Sequence, residues 1–470
     1  MPRSLTMVLD FGKTTSKATL WTSTGDCIRR ETRATRKVDA GSYTALDVNG
    51  IETWLAEVLA DFAAAGPVGS IIPVAHGAAA AILRDGRLAL PPMDYECEPP
   101  EVVRDAYLND RDRFSWNGSP PMGLGLNLGM QLAHLEWLYP ELLTGDATIL
   151  PWAQYWSWRL CGVAASEVSS LGSHTDLWSP RTGRPSPLAV RRGWAARLAP
   201  LRHASDVLGT LLPEWVARTG LPCDVKVHVG VHDSNAALHA ARTRPEIAGT
   251  EATVISTGTW FVAMRSPGIG ADLTALYRAP NPGCLISIDP TGAPVPTALF
   301  MGGREIEILC EGLQIRLDDG VEQESIIDAV TDCLASGAMI LPTMVRGTGP
   351  FPDRIGRWID RPANPCQAAA AIGLYAALVI DHMLDRIGAR DTLLVEGRFA
   401  NAPSFVRALA TLRRGARVFV SAADGDVSFG TFLLLRPGAA PSKALLAVRP
   451  LASDLTDYRQ LWLRRLELAE

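Results

Sequence analysis

Residues 5–21 read LTMVLDFGKTTSKATLW, and this stretch decides the fold class. An apolar run ends in Asp10, a turn rich in glycine and threonine follows, and a second extended run begins at once; the pattern predicts two strands joined by a tight turn. The same theme returns at residues 252–266, ATVISTGTWFVAMRS. A strand–turn–strand unit that recurs past the midpoint predicts two related domains, residues 1–244 and residues 245–470.

Between and after the two units, helical and extended patterns alternate. Residues 51–64 place apolar side chains on one side of a helix and are followed by a strand pattern, SIIPVAHG. Another helix is predicted after Asp233, and a long one over residues 367–388. The alternation predicts an α/β fold, in which sheets and helices form layers.

Composition excludes several classes of protein. The chain has 470 residues, of which 47% are apolar and 20% charged, values typical of a globular protein. Its net charge of −5 argues against nucleic acid or an anionic membrane as the main partner. The eight cysteines show no zinc-like spacing, which predicts free thiols in a reducing compartment. The longest apolar run, residues 368–380, is shorter than the roughly 20 residues that span a bilayer, so we expect a buried helix and a cytoplasmic protein.

The turn after Asp10 has the composition of a phosphate site. Backbone N–H groups around Gly12 and the hydroxyls of Thr14 and Thr15 can converge on one anion, and Lys13 or Lys17 can neutralise its charge. Asp10 itself is suited to hold Mg²⁺ through water. The alternative is an ordinary hairpin whose glycine and threonines only form the turn. It is not a Walker loop, because that spacing is absent and a strand follows where a helix should.

The second turn, at Gly258 and Thr259, offers the same chemistry from the other domain. Two such hairpins predict a nucleotide polyphosphate held in a cleft between the domains. Asp233 precedes a helix and has two readings: an N-cap, or a general base that takes a proton from an attacking hydroxyl.

Taken together and in this order, these segments resemble the FGGY family of carbohydrate kinases. The first phosphate motif of that family, D-x-G-x-[TS]-x-x-[KR], is similar to residues 10–17, and its G-x-x-D motif to Gly230 and Asp233. Its second phosphate motif is similar to Gly258-Thr259. Its glycine-rich adenosine motif is similar to residues 396–401, with Gly397 and Asn401 in place and Glu396 where glycine is more common.

The resemblance extends to candidate sugar contacts. His76 and Gly77 resemble the histidine–glycine turn of xylulose kinases, and the setting of Asp233 is closer to the deoxyketose branch. His76 has a structural alternative, a histidine that caps the loop after a buried strand. We predict that Asp94 accepts hydrogen bonds from sugar hydroxyls. Glu96 is predicted to be solvated, and Gln131 and His174 are weaker candidates for sugar contacts. Trp152, Trp156 and Trp158 are predicted to pack in the core.

The resemblance implies an actin-like (ribonuclease H-like) fold and an ATP-dependent sugar kinase. Asp233 would be the general base, Mg²⁺ would lie near Asp10 and Asp233, and the acceptor would be a ketose such as a pentulose or deoxyhexulose, or a polyol. The expected partners are ATP and the sugar, without nucleic acid or membrane, in a monomer or homodimer. Two alternatives are a non-kinase ATPase of the actin and chaperone fold, and a catalytically silent sugar-binding regulator.

Overall fold

The computed structural model describes residues 4–268, 270–313, 315–318, 323–421, 427–439 and 444–468. In the first half of the chain the strands are β1 Leu5–Phe11, β2 Thr15–Trp21, β3 Cys27–Ala34, β4 Lys37–Asp39, β5 Thr44–Leu46, β6 Val68–Ala75, β7 Ala80–Arg84, β8 Arg87–Leu88, β9 Thr148–Pro151, β10 Trp178–Ser179, β11 Arg184–Pro185, β12 Val207–Thr210, β13 Lys226–His228 and β14 Val231–His232. The helices there are α1 Val48–Ala63, α2 Glu101–Asp110, α3 Phe114–Asn117, α4 Leu128–Leu138, α5 Trp152–Cys161, α6 Val168–Leu171, α7 Pro187–Arg191, α8 Pro213–Thr219 and α9 Asp233–Arg242, with a 3₁₀ turn at Trp194–Arg197.

The second half repeats the mixture of strands and helices. Its strands are β15 Ala252–Thr257, β16 Phe261–Ser266, β17 Cys284–Ile288, β18 Pro294–Phe300, β19 Met339–Leu341, β20 Arg357–Ile359, β21 Thr392–Gly397, β22 Arg417–Val420 and β23 Leu446–Ala447. Its helices are α10 Gly302–Cys310, α11 Gln323–Asp328, α12 Val330–Ser336, α13 Pro365–Ile387, α14 Pro403–Leu412, α15 Val427–Leu435 and α16 Thr456–Glu467, with 3₁₀ turns at Thr274–Tyr277 and Arg398–Asn401.

The opening stretch forms the centre of the first sheet, whose order is β12-β13-β6-β1-β2-β3. Strands β1 and β2 are antiparallel, with Asp10 opposite Lys17, and β1 and β6 are parallel, with Asp10 opposite Val74. Strand β14 also pairs with β6 in parallel, with Val231 opposite Val74. The predicted hairpin is confirmed, and Asp10 lies where a central strand ends.

The second sheet repeats this arrangement in the order β17-β18-β16-β15-β21-β22-β23. Strands β15 and β16 form the antiparallel hairpin, with Thr257 opposite Phe261, and β21 lies parallel to β15 on its other side. An antiparallel hairpin continued by a parallel strand therefore occurs in both halves, as the sequence repeat predicted.

Helix α13 is the centre of the second core. Asn364 caps it by accepting hydrogen bonds from the backbone N–H groups of Cys366 and Gln367, and Gly388 ends it in a left-handed conformation. Among the described residues it is the one helix long and apolar enough to cross a membrane, but 89% of its most apolar window is buried inside the protein. The predicted buried helix is confirmed.

Helix α15 packs on the first sheet although it comes late in the chain. The Phe432 ring stacks 5.4 Å from Trp21, and a Cβ at Gly430 would lie 1.8 Å from the carbonyl oxygen of Ala236, so only glycine fits there. On another side, the backbone N–H of Ile286 donates to the carbonyl of Gly118 at 2.7 Å. The two halves are thus joined at several points, and a domain boundary at residues 244/245 stays a prediction.

Candidate active site

The first hairpin turn is held tight by its glycine. A Cβ at Gly12 would lie 2.6 Å from the carbonyl oxygen of Thr15, so the turn admits no larger residue without shifting. Thr14 and Thr15 are exposed. Asp10 is buried, and the Lys17 ammonium lies 3.4 Å from its Oδ2. The residues predicted to bind phosphate therefore lie in and beside one turn. The hydroxyls of Thr14 and Thr15 are accessible, and the Lys17 ammonium lies next to Asp10.

The second hairpin turn is joined to the predicted adenosine segment. The Thr257 hydroxyl donates to the carbonyl of Glu396 at 2.5 Å and accepts from the backbone N–H of Phe399 at 3.0 Å. Gly397 has φ +84°, and a Cβ there would meet the carbonyl oxygen of Thr257 at 2.5 Å. Gly258, Thr259 and Asn401 are exposed. The residues predicted to hold the nucleotide in this half are thus gathered on one connected surface.

A glycine pair that sequence reasoning missed completes this surface. Helix α10 begins at Gly302, and a Cβ at Gly303 would lie 1.9 Å from the carbonyl oxygen of Gly258. The backbone of α10 therefore comes against the second hairpin turn, and its N-terminal N–H groups add to the anion-binding potential. Two adjacent glycines directly after a strand pattern are the signal that could have found them.

Asp233 lies at the same edge of the first sheet as Asp10. Strand β6 separates β1 from β14, so the two strand ends are roughly 10 Å apart, about two strand spacings. Helix α9 begins at Asp233 itself, and its N-cap residue is His232, without a side-chain cap bond. Asp233 is therefore the first residue of the helix and not its N-cap. Its carboxylate accepts from the N–H and hydroxyl of Ser234, at 2.5 and 3.1 Å, and 26% of the side chain is exposed.

His232 is oriented by two neighbours and faces Asp233. The Asn235 amide donates to its Nδ1 at 3.1 Å, and the Ser173 hydroxyl lies 3.3 Å from the same atom. Because an amide nitrogen only donates, Nδ1 is an acceptor and the ring proton is on Nε2. Nε2 lies 3.4 Å from Oδ1 of Asp233. Burial lowers the pKa of His232 to about 3, so the ring is neutral and directs an N–H toward the carboxylate.

Asp233 opens onto a pocket of about 250 Å³ between the two halves. His76 and Gly77 line it, together with His174 and His232. A Cβ at Gly77 would come within 2.8 Å of the Nε2 of His232 and 3.1 Å of the Nε2 of His174, so the two rings require glycine here. The sequence identified His76 and Gly77 as site candidates but gave His232 no role. Of the two residues that orient its ring, Ser173 lies 59 residues earlier in the chain.

His76 presents an unsatisfied nitrogen in this pocket. Its Nδ1 is hydrogen-bonded to the Gly77 carbonyl at 2.7 Å, which leaves the proton on Nδ1 and an acceptor at Nε2. Nε2 is buried, and no atom among the described residues hydrogen-bonds to it. Burial lowers the pKa of His76 and raises that of Asp233. Such an acceptor beside a carboxylate is suited to a ligand hydroxyl.

Lys13 lines the pocket and is ion-paired with Asp94. Its Nζ also lies 4.3 Å from the centre of the Tyr95 ring. Asp94 is 1% exposed, and one of its oxygens also accepts from the backbone N–H of Glu96 at 2.7 Å. The structure thus places Lys13 over Asp94, on the pocket side of the first hairpin. Glu96 is half exposed and pairs with Lys37, in line with the predicted solvated role.

The remaining candidates have structural roles or line the pocket. Gln131 is buried and donates to the carbonyls of Ala78 and Gly125 at 2.6 and 2.7 Å, so its amide nitrogen is used by the fold. Trp156 is fully buried and stacks 4.5 Å from Phe11, which confirms the prediction of core packing for the tryptophan cluster. All eight cysteines are free.

The site also fits a hydrated Mg²⁺ ion. Among the described residues no group of three or more histidine, cysteine, aspartate or glutamate side chains could enclose a metal. Mg²⁺ usually keeps several waters and is bound by one or two carboxylates together with substrate phosphates. The carboxylates of Asp10 and Asp233, at one sheet edge beside two phosphate-type turns, supply that donor set.

Comparison with known proteins gives the same fold along the whole chain. The structure is similar to the crystal structure of a carbohydrate kinase from Novosphingobium aromaticivorans, with a TM-score of 0.93, 48% identity and 100% of each chain covered. It also resembles glycerol kinase from Plasmodium falciparum with ADP (TM-score 0.81, 13% identity, 99% of this chain and 98% of that one). A third match is ligand-bound xylulose kinase from Lactobacillus acidophilus (TM-score 0.80, 12% identity, 99% and 97%). The last two show the fold alone, and they confirm the predicted pair of actin-like domains.

Sequence comparison agrees with the structural matches. Residues 249–443 match the family described as carbohydrate kinase FGGY, C-terminal domain. No curated protein sequence is a significant match to the chain. With a 48%-identical carbohydrate kinase covered from end to end, the chain belongs to the FGGY family of carbohydrate kinases.

Proposed function

We propose that the protein transfers the γ-phosphate of ATP to a hydroxyl of a small sugar bound in the 250 Å³ pocket. The acceptor would be a ketose such as a pentulose or deoxyhexulose, or a polyol. The observation that carries the proposal is the pairing of Asp233, whose pKa is raised by burial, with the unsatisfied Nε2 of His76 in one pocket. A base and a hydroxyl acceptor side by side are what phosphorylation of an alcohol needs.

The nucleotide would lie between the two hairpin turns. In this proposal the triphosphate contacts Asp10 and the turn Gly12, Lys13, Thr14, Thr15 and Lys17 from residues 1–244. Gly258 and Thr259 hold it from residues 245–470, and Gly397 and Asn401 contact the adenosine. The exposure of both turns, the tight backbone at Gly12 and the close approach of Gly303 to the carbonyl of Gly258 support this arrangement.

Asp233 would act as the general base. The acceptor hydroxyl gives its proton to the carboxylate while its oxygen forms a bond to the γ-phosphorus, and the bond from that phosphorus to the bridging oxygen of ADP breaks. His232, through its Nε2–H, fixes the carboxylate and is a positioning residue. His76 accepts a hydrogen bond from a second hydroxyl of the sugar. Asp94, predicted to accept hydrogen bonds from sugar hydroxyls, is buried and already paired with Lys13, and its contact with the sugar stays a prediction.

A Mg²⁺ ion held near Asp10 and Asp233 would supply charge neutralisation for the phosphates. The two halves would exclude water from the site, because the pocket lies between them. The cytoplasmic location and the monomeric or homodimeric state remain predictions.

A coupled assay of ADP release tests the proposal. We expect ATP-dependent turnover with at least one member of a panel of pentuloses, deoxyhexuloses and polyols, and a phosphorylated sugar as product. Release of ADP without any acceptor, stimulated by a protein partner, would support the non-kinase ATPase instead. Tight binding of a sugar with no turnover in the whole panel would support the silent regulator.

A further inference from the structure

A second, larger cavity adjoins the acceptor pocket. It has a volume of about 750 Å³, three times that of the pocket itself. The two cavities adjoin, and six residues line both: Tyr95, Met122, Leu126, Trp260, Leu285 and Leu299. We call the larger cavity the annex. A monosaccharide fits in the pocket alone, so the annex needs a separate explanation.

The walls of the annex are apolar. Beyond the shared residues, its lining includes five prolines, and it further includes Leu124, Met301 and Val345. The charged residues that line it are Glu96, which pairs with Lys37, and Arg346, which is exposed. None of the residues predicted to hold the nucleotide lines it. The annex is therefore suited to an apolar group on the acceptor side of the site rather than to ATP.

One wall, residues 120–126, is fixed by buried polar groups. Buried Gln131 donates to the carbonyl of Gly125, and the backbone N–H of Met122 donates to Oδ1 of buried Asn127 at 2.8 Å. Leu124 is held at φ +55° with 41% of its surface exposed. A leucine in that conformation is strained and persists only where its surroundings impose it. The conformation of this exposed leucine therefore indicates that its surroundings hold the wall in place.

The opposite wall is fixed in the same manner. Oε1 of Glu305, 1% exposed, accepts from the backbone N–H groups of Met344 and Val345 at 3.2 Å each, and its Oε2 accepts from the Tyr375 hydroxyl. Arg386 donates to the side chain of Asn281 at 2.8 Å. Because both walls are anchored by buried hydrogen bonds, the annex is part of the fold and not a gap left between loose loops.

We propose that the natural acceptor carries an apolar alkyl or aryl substituent, which the annex binds while the sugar ring or chain lies beside Asp233. The inference rests on the proposed kinase activity and names the substrate class of that same site. Because the annex adjoins the acceptor pocket and shares six lining residues with it, we place the substituent on the acceptor, and the apolar lining specifies its chemistry.

The test compares a parent sugar with its own derivatives. The best acceptor of the panel, or D-xylulose if none reacts, is compared with its n-butyl, n-hexyl and phenyl ethers at each hydroxyl in turn. For the ethers at one of the hydroxyls, we expect kcat/KM to rise about threefold to fourfold per added methylene until the annex is filled. The affinity measured by calorimetry should rise by the same factor. A parent that is phosphorylated, with every derivative equal or worse, would overturn the inference and leave the kinase proposal intact. A gain in affinity without turnover would support the annex and reject the kinase.

Two variants narrow the test to the annex. A Cβ added at Gly123 would have no atom within 4 Å, and the backbone there has no unusual angle. Thr348 lies on the opposite wall. Gly123→Trp and Thr348→Trp should each reduce the ratio of derivative to parent affinity by at least about tenfold. Gly415→Trp, at an equally open glycine outside the annex, is the control and should keep that ratio. An unchanged ratio in both annex variants would contradict the proposal.

Discussion

The geometry around Asp233 depends on one ring proton. Asn235 donates to Nδ1 of His232, and this fixes the proton on Nε2, 3.4 Å from the carboxylate. His232 therefore restricts the orientation of the proposed base without needing a charge. The side chains of Ser173 and Asn235 act on Asp233 only through this ring.

Substitution of His232 tests that positioning role. His232→Ala should lower kcat by about 10- to 100-fold, the range typical of residues that orient a reacting group, with the KM for ATP nearly unchanged. His232→Gln, which can return an N–H donor, should recover part of kcat. Steady-state kinetics with both substrates varied is the measurement. Equal losses in the two variants, or a thermal unfolding temperature lowered to match, would indicate a merely structural histidine.

The raised pKa of Asp233 predicts the acid side of the pH profile. A general base works only when ionised, so kcat/KM should fall as the pH falls through the pKa of Asp233. Burial raises that pKa above its ordinary value of 3.8, so the fall should begin at a higher pH than for an exposed aspartate. Burial lowers the pKa of His76, so its ring stays neutral to a lower pH than the ring of an exposed histidine. A rate profile that is flat down to pH 4 would contradict this assignment.

At the scale of elements, the second hairpin and helix α10 form one unit. The carbonyl oxygen of Gly258 lies so close to Gly303 that a Cβ would not fit between them. Gly303→Ala must push the hairpin turn or the start of α10 aside. We expect the KM for ATP to rise about tenfold, in line with the roughly 1–3 kcal/mol that overpacking costs.

The control for that substitution is Gly415→Ala, where a Cβ meets nothing within 4 Å. It should leave the KM for ATP within about twofold, since substitutions away from such contacts have small effects. A Gly303→Ala protein with an unchanged KM for ATP would remove the start of α10 from the nucleotide site.

Local elements were predictable from the sequence, and tertiary contacts were not. The hairpin at Asp10 and its repeat at residue 252 are each formed by consecutive residues, so a local pattern predicted the sheet centres and both phosphate-type turns. The role of His232 depends on Ser173, some sixty residues earlier in the chain, and on the register of β14 with β6. The annex depends on loops from both halves. No local pattern encodes either one.

At the scale of the whole molecule, helix α15 ties the end of the chain to its beginning. Phe432 is fully buried against Trp21, Val8 and Ile72. Phe432→Ala should lower the free energy of unfolding by about 3–5 kcal/mol, because it removes a large buried ring and leaves a cavity. Urea denaturation followed by tryptophan fluorescence measures this.

Leu446→Ala is the matched control for Phe432→Ala. Leu446 is 56% exposed, so its truncation should change the free energy of unfolding by no more than about 0.5 kcal/mol. A loss no larger for Phe432→Ala than for this control would mean that α15 is not part of the first core.

The central claim is that Asp233 takes the proton of an acceptor hydroxyl held beside it between the two halves. Its most direct test is Asp233→Asn, which keeps the size of the side chain and removes the base. We predict that kcat with the best acceptor falls by at least about 10²- to 10⁴-fold, the usual contribution of a general base, while the Kd for ATP measured by calorimetry stays within about twofold. Turnover near that of the wild type in Asp233→Asn would contradict the account.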